Sequence, residues 1–252
     1  MNGRLEPWST ALVCPMYGWG QAPQGASASS VLGELATAFS GGQVVQQIQI
    51  SGTAAWTAGS LEDSGTVSLT ASTDGSSQMQ LALVSTGTRT EAQTGAGSNA
   101  ECQWSGADGV PHAVSSNNCW RPALWFLPTL SLQPSLITSG IEIADLGVGP
   151  VGTSGNSYRH LQAQLLFSGF PSVIGGSFGQ QSTTDLGLDP TSLLPAVLAY
   201  SVQPDGFSTP IAIEVHYSNY QTVNGVQIPF LIQRYVNGSL QFAIVVSSAQ
   251  IN

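Results

Sequence analysis

Few residues of this chain could do chemistry. Gly175-Gly176-Ser177-Phe178-Gly179 has the Gly-x-Ser-x-Gly form of a nucleophile elbow, and Asp205 and His216 follow it in the order that an α/β-hydrolase triad uses. That elbow works by exposing its Ser on a sharp strand-to-helix turn. The ten residues after Gly179 (QQSTTDLGLD) carry no helical period, so a serine hydrolase using Ser177 is the remote reading. His112, His160 and His216 stand alone, with no ligand partner at i+2 or i+4, and are expected to be hydrogen-bonded or solvated strand and loop residues. His216, between Val215 and Tyr217, should face away from the apolar side of its strand.

Paired carboxylates would mark general acid and base catalysis. Glu62-Asp63 is read as a turn pair before Gly65, and Glu142 and Asp145 as lying on opposite faces of one strand. Asp185 and Asp189 flank Gly187 at an Asp-Pro turn, with a calcium site as the lesser alternative. A phosphate loop of the Gly-x-x-x-x-Gly-Lys type cannot exist, because the chain has no lysine. The expectation is therefore a protein that is not an enzyme, with no catalytic residue, metal or cofactor.

Five arginines (Arg4, Arg89, Arg121, Arg159 and Arg234) are scattered singly in a chain of formal net charge −9, which rules against a surface that tracks nucleic-acid phosphates. The same scarcity argues against docking on anionic headgroups. Only 8% of residues are charged, yet 42% are hydrophobic, enough to bury a core in a chain of 252 residues.

Residues 1–26 do not pattern like the rest. One early Arg, a modest apolar run from Trp8 to Trp19 and then small residues and Pro are read as a signal-like or disordered segment, with residues 27–252 as one domain. No run reaches the length of a membrane-spanning helix. Cys14, after Leu12-Val13, fits a lipoprotein cleavage site poorly. Cys102 and Cys119 bracket a loop rich in Gly, Asn and Ser. In an oxidising compartment a disulfide is the natural reading, two free buried thiols are the alternative, and a zinc site fits the spacing badly.

These residues need elements to position them. Leu32, Leu35, Ala36 and Phe39 share one face of a helix predicted over Ser30 to Ser40, capped by Ser30 and stopped by Gly41-Gly42. From Gln43 the period changes to two. Ile48, Ile50 and Trp56 fall on one face of a strand. Val67/Leu69/Ala71 and Met79/Leu81/Leu83 then form a hairpin about Asp74-Gly75, expected as a type I′ turn. Residues Cys102–Trp104 and Val110–Val114 flank Asp108-Gly109 as a second hairpin, whose base a disulfide would staple.

Pro122 to Leu127 reads as a short apolar helix ended by Pro128, and Gly169 to Gln181 as a loop or lid. Strands are predicted at Ile141–Leu146 and Tyr158–Leu166. An antiparallel meander follows at Ser182–Leu188, Ala196–Val202, Ile211–Tyr217, Ile228–Tyr235 and Leu240–Ser247, broken at Asp205-Gly206, Asn224-Gly225 and Asn237-Gly238.

Two stretches carry a family likeness. Leu188-Asp189-Pro190-Thr191-Ser192-Leu193-Leu194-Pro195-Ala196 is similar to a pattern of Asp-Pro turn, spacer, Leu-Pro and strand. Val223-Asn224-Gly225-Val226-Gln227-Ile228-Pro229-Phe230 is similar to an Asn-Gly hairpin followed by Pro and an apolar residue. With the order of elements, they resemble the LolA/LolB family of periplasmic lipoprotein carriers, and more closely its uncharacterised secreted members. The resemblance implies a mainly β fold: one curved antiparallel sheet, an incomplete barrel with a lid of short helices. It also implies an exported cell-envelope protein that holds acyl chains of lipids or lipoproteins, with an envelope protein as a further partner. Expected cavity residues are Ile48, Ile50, Trp56, Leu69, Met79, Leu81 and Leu83, with Trp104, Trp125 and Phe126 at the mouth. No arginine of the family is carried over. An interaction module whose centre is filled by its own side chains is the alternative.

Overall fold

A computed structural model describes residues 28–95, 100–119, 125–132, 141–165, 181–203 and 209–252. Helix α1 (Ala28–Ser40) precedes strands β1 (Gln47–Ala58), β2 (Leu61–Ser72), β3 (Ser77–Leu83), β4 (Gly87–Thr94), β5 (Glu101–Ser105) and β6 (Pro111–Ala113). Short helices α2 (Ser116–Cys119) and α3 (Pro128–Ser131) come next. Strands β7 (Ile141–Pro150), β8 (Ser157–Leu165), β9 (Thr184–Leu188), β10 (Pro195–Val202), β11 (Ile211–Val223), β12 (Val226–Val236) and β13 (Ser239–Ile251) complete the chain. All thirteen strands form one antiparallel sheet in the order β6-β5-β4-β3-β2-β1-β13-β12-β11-β10-β9-β8-β7. Its edges, β6 and β7, do not pair with each other, so the barrel stays open.

Alternation explains the strands. In β1 the buried residues are Ile48, Ile50, Gly52, Ala54 and Trp56, one face of a period-two ladder, and β3 buries Ser77, Met79, Leu81 and Leu83 in the same way. The central pairing is long-range: β1 lies against β13, with Ile48 opposite Ile251 and Trp56 opposite Phe242. It joins the two halves of the chain into a single ladder.

The sheet must curl, and one contact shows how far. Glu91 in β4 and Arg234 in β12 are five strand steps apart, about 24 Å along a flat sheet. Their charged ends nevertheless meet at 3.6 Å. Inside the curl lies one contiguous apolar core that includes Ile48, Leu69, Leu81, Leu161, Val215 and Ile232. Helix α1 packs on β12 and β7 through Leu32, Leu35 and Phe39 and touches α3. The carbonyl oxygen of Trp125 accepts a hydrogen bond from the Tyr217 hydroxyl of β11 at 2.5 Å. Close approach of neighbouring strands is built in at Gly52 and Gly65, where a Cβ would lie 2.2 Å from the Val245 carbonyl oxygen and 1.9 Å from that of Ala82.

Several local expectations are corrected. The helix already includes Ala28, so Ser30 lies within it and not at its N-cap, and the Ser30 hydroxyl donates to the Glu34 carboxylate. Trp125 and Phe126 are helical and the helix stops at Leu127, before Pro128, as expected; Pro128 then also starts the turn of α3, where its missing N–H costs nothing. The 122–124 part of the predicted apolar helix lies outside the described residues, as do residues 1–26, Ser177, Asp205 and nearly all of the predicted 169–181 loop.

The Asp74-Gly75 turn is not type I′. Only Gly75 has positive φ (86°), and its N–H bonds Ser72 O at 3.1 Å, the geometry of a type I turn with a glycine bulge. Asp74 favours this form because its carboxylate binds Ser76 N at 2.8 Å and Ser76 Oγ at 2.6 Å. The Asn224-Gly225 and Asn237-Gly238 turns do place both residues at positive φ, as type I′ requires. Glu62 and Asp63 belong to strand β2, not to a turn; Asp63 accepts bonds from Thr86 N and Oγ1, both at 2.8 Å, and so ties down the β3–β4 connection.

Candidate functional site

A cavity of about 310 Å³ opens where the β4–β6 end of the sheet curls toward β10 and β12. Its wall includes Glu91, Cys102, Trp104, Val114, Asn118, Trp125, Tyr200, Val202 and Arg234. A second hollow, of about 580 Å³, lies along the same edge hairpin beside Gln93, Glu101 and Pro111. The first is the candidate site because it is walled on both sides, by the edge hairpin and by β10 and β12, and roofed by an aromatic ring.

Each wall residue has a local reason for its place. On β4 the inward positions are Arg89, Glu91 and Gln93, directly opposite Leu81, Met79 and Ser77 of β3. The inner face therefore changes from apolar to polar across one strand. On β12, Arg234 continues the inward phase of Ile228 and Ile232. Its guanidinium carbon sits 5.2 Å above the Trp125 ring, while that of Arg89 sits 4.6 Å above Trp56. Trp125 in turn meets Phe126 edge to face at 5.2 Å.

The disulfide between Cys102 and Cys119, with Cα atoms 5.3 Å apart, staples the base of the β5–β6 hairpin. Asn118 extends the staple by donating from Nδ2 to Gln203 O, at 3.1 Å, on the far wall. At the rim, Trp104 stacks on His112 at 4.4 Å and remains 43% exposed.

The electrostatics of the wall are unusual. Burial pulls the Arg234 guanidinium toward neutrality, but the neighbouring Tyr200 and Glu91 hold it above its ordinary range, so it stays charged. Burial, reinforced by Tyr220 and Tyr200, pushes the Tyr217 hydroxyl well up, and burial alone raises that of Tyr220; both stay neutral donors. Among the described residues no acceptor reaches Trp125 Nε1 or Arg234 Nε, although both atoms are buried.

The other chemistry-bearing residues are placed elsewhere. His216 Nε2 lies 2.7 Å from Glu214 Oε1, and that carboxylate also accepts from Thr153 N and Oγ1 at 2.9 Å. His160 Nε2 lies 2.8 Å from Asp185 Oδ1, which Gln162 also contacts, and Asp145 pairs with Arg159. Asp189 receives Thr191 N and Ser192 N, at 3.0 and 2.7 Å, as an Asx turn, and among the described residues no three His, Cys, Asp or Glu side chains converge as metal ligands.

The structure divides the ten predicted cavity residues. Trp104 and Trp125 line the cavity; Ile48, Ile50, Trp56, Leu69, Met79, Leu81, Leu83 and Phe126 are buried in the core beside it, with Leu69 and Leu81 at 0% exposure. Sequence reasoning missed Arg234 and Glu91. A cation in phase with Ile228 and Ile232 was a usable signal for the first. The second lay in a strand with no apolar alternation, whose only β signature is Thr88, Thr90 and Thr94.

No family model and no curated protein matches the sequence. Solved structures do match by fold. A LolA superfamily protein from Nitrosomonas europaea aligns with a TM-score of 0.54 at 10% identity, over 90% of this chain and 94% of its own. An outer membrane lipoprotein-sorting protein domain from Vibrio parahaemolyticus gives 0.54 at 8% identity, over 88% and 91%. A DUF1329 family protein from Desulfovibrio piger gives 0.51 at 11% identity, over 89% and 92%. The chain thus has a LolA-like fold: mainly β, one open antiparallel sheet with short helices in its concavity.

Proposed function

We propose that this protein is a non-enzymatic, carrier-like protein of the bacterial cell envelope that holds an acyl chain of a lipid or lipoprotein in the concavity of its curled sheet. The observation that carries the reading is the cavity of about 310 Å³ walled by Trp104, Val114, Trp125 and Val202, at the lower end of the size range of small-molecule sites. The LolA-like fold supports it, since one structure that shares it, from Vibrio parahaemolyticus, is described as an outer membrane lipoprotein-sorting protein domain. In this reading residues 1–26 serve export and residues 27–252 form the carrier domain. The core residues Ile48, Leu69 and Leu81 lie beside the cavity, and in this reading a longer chain enters by displacing them. Burying about ten methylenes contributes roughly 8 kcal/mol, the free energy of a micromolar complex before ordering costs are subtracted.

Native mass spectrometry of protein purified from a bacterial envelope should show lipid adducts, and long-chain lipids should displace a hydrophobic dye. An adduct-free protein from which no lipid displaces the dye would refute the proposal.

A second reading, an interaction module with a self-filled centre, is favoured by the full burial of Ile48, Leu69 and Leu81 in one continuous cluster. It predicts no adduct and no displacement, together with capture of an envelope protein at an open sheet edge.

A further inference from the structure

Two buried donors in the cavity wall define what the bound molecule offers in return. Trp125 is 2% exposed, and no acceptor among the described residues reaches its Nε1–H. Arg234 lies with its guanidinium over that same indole, and its Nε–H is equally without an acceptor. Leaving a buried donor unpaired is costly, and two of them in one wall favour a ligand that brings an acceptor.

The charge of the site decides which acceptor. Glu91 Oε1 stands 3.6 Å from Arg234 Nη1, so the wall already carries one positive and one negative charge. A carboxylate ligand would leave the site with a net negative charge, inside a chain whose formal charge is −9 and which has no lysine to offset it. A carbonyl oxygen offers an acceptor to such donors and adds no charge.

We infer that Arg234 and Trp125 are specificity-determining residues that read the uncharged ester or amide carbonyl of an acyl chain and discriminate against free fatty acids. The inference rests on the carrier reading and names the chemical class that the carrier selects. Glu91 is the residue that sets the sign of the discrimination, because it cancels the charge that would otherwise draw a carboxylate to Arg234.

The test is dye displacement near pH 8, where a free fatty acid is ionised, with three probes of equal chain length: methyl dodecanoate, dodecanoic acid and dodecane. The ester should bind about tenfold more tightly than either of the others. Trp125→Phe keeps the ring and removes the N–H; it should lose about fivefold toward the ester and nothing toward dodecane. Arg234→Lys, which keeps the charge and removes the Nε–H, should act in the same direction. Glu91→Gln uncovers the cation and should invert the preference, so that dodecanoic acid binds more tightly than the ester.

An acid that binds the wild-type protein as tightly as the ester overturns the inference. So does a Trp125→Phe variant that keeps full ester affinity, and in both cases the carrier reading survives. If none of the probes displaces the dye, the carrier reading falls and takes the inference with it.

Discussion

Replacing Gly65 by Ala tests the physical basis of the curl directly. Gly65 sits in β2 opposite Leu83 of β3, and a Cβ added there would lie 1.9 Å from the Ala82 carbonyl oxygen, 2.7 Å from its carbon and 2.9 Å from the Leu83 Cα. Ordinary contact begins near 3.4 Å, so the β3 backbone would have to retreat by about 1.5 Å. A carbonyl in a ladder cannot retreat that far and keep its hydrogen bond. Overpacking of about 2 kcal/mol and a lost or stretched bond of about 1 kcal/mol give a destabilisation of roughly 3 kcal/mol. For a chain of this size that is a fall in Tm of about 6–12 °C.

Gly33 provides the control. It lies on the exposed side of α1 with nothing within 4 Å of a built Cβ, so Gly33→Ala should raise stability by roughly 1 kcal/mol. Both variants can be compared by urea denaturation followed by tryptophan fluorescence. A Gly65→Ala protein with an unchanged midpoint, or one shifted in the same direction as Gly33→Ala, would refute the claim that close strand approach at Gly65 shapes the sheet.

Leu81→Ala should cost about 2–5 kcal/mol, read as a lower urea midpoint, because the side chain is wholly buried at the centre of the apolar cluster. Replacing Cys102 and Cys119 together by Ala should lower stability by roughly 3 kcal/mol and selectively speed hydrogen exchange in β5 and β6, which the bridge secures. Thermal melts across pH should show stability falling in acid. Hydrogen bonds from Ser76 depress Asp74, and those from Ser192 depress Asp189. In Glu214, burial works upward, but the bonds from Thr153 and His216 outweigh it. All three folded values lie below the unfolded ones, so the stabilisation is complete above about pH 4–5 and is lost as pH falls through the lowered folded values.

The period-two runs at Gln47–Trp56, Val67–Ala71 and Met79–Leu83 were legible in the sequence because alternation is a local property that a strand with one buried face imposes on its own residues. The type I′ turns at Asn224-Gly225 and Asn237-Gly238 were legible for the same reason: positive φ at two successive residues selects Asn and Gly wherever the chain lies. Strand β4 was not legible, since its inward side chains are polar: Glu91 faces the cavity, Gln93 the neighbouring hollow, and Arg89 lies over the core residue Trp56.

What the sequence by itself determined is the class of the protein: mainly β, built on long amphipathic strands, poor in charge and without a lysine. Only the tertiary structure decided that β1 pairs with β13, that the sheet curls far enough for Glu91 to meet Arg234, and that Trp125 roofs the hollow between them. The reason is one of range. A side chain's period and a turn's φ are decided by neighbours in the chain. Which residues face one another across a curled sheet is decided by the accumulated twist and close approach of five intervening strand pairings, and no single stretch of sequence carries that sum.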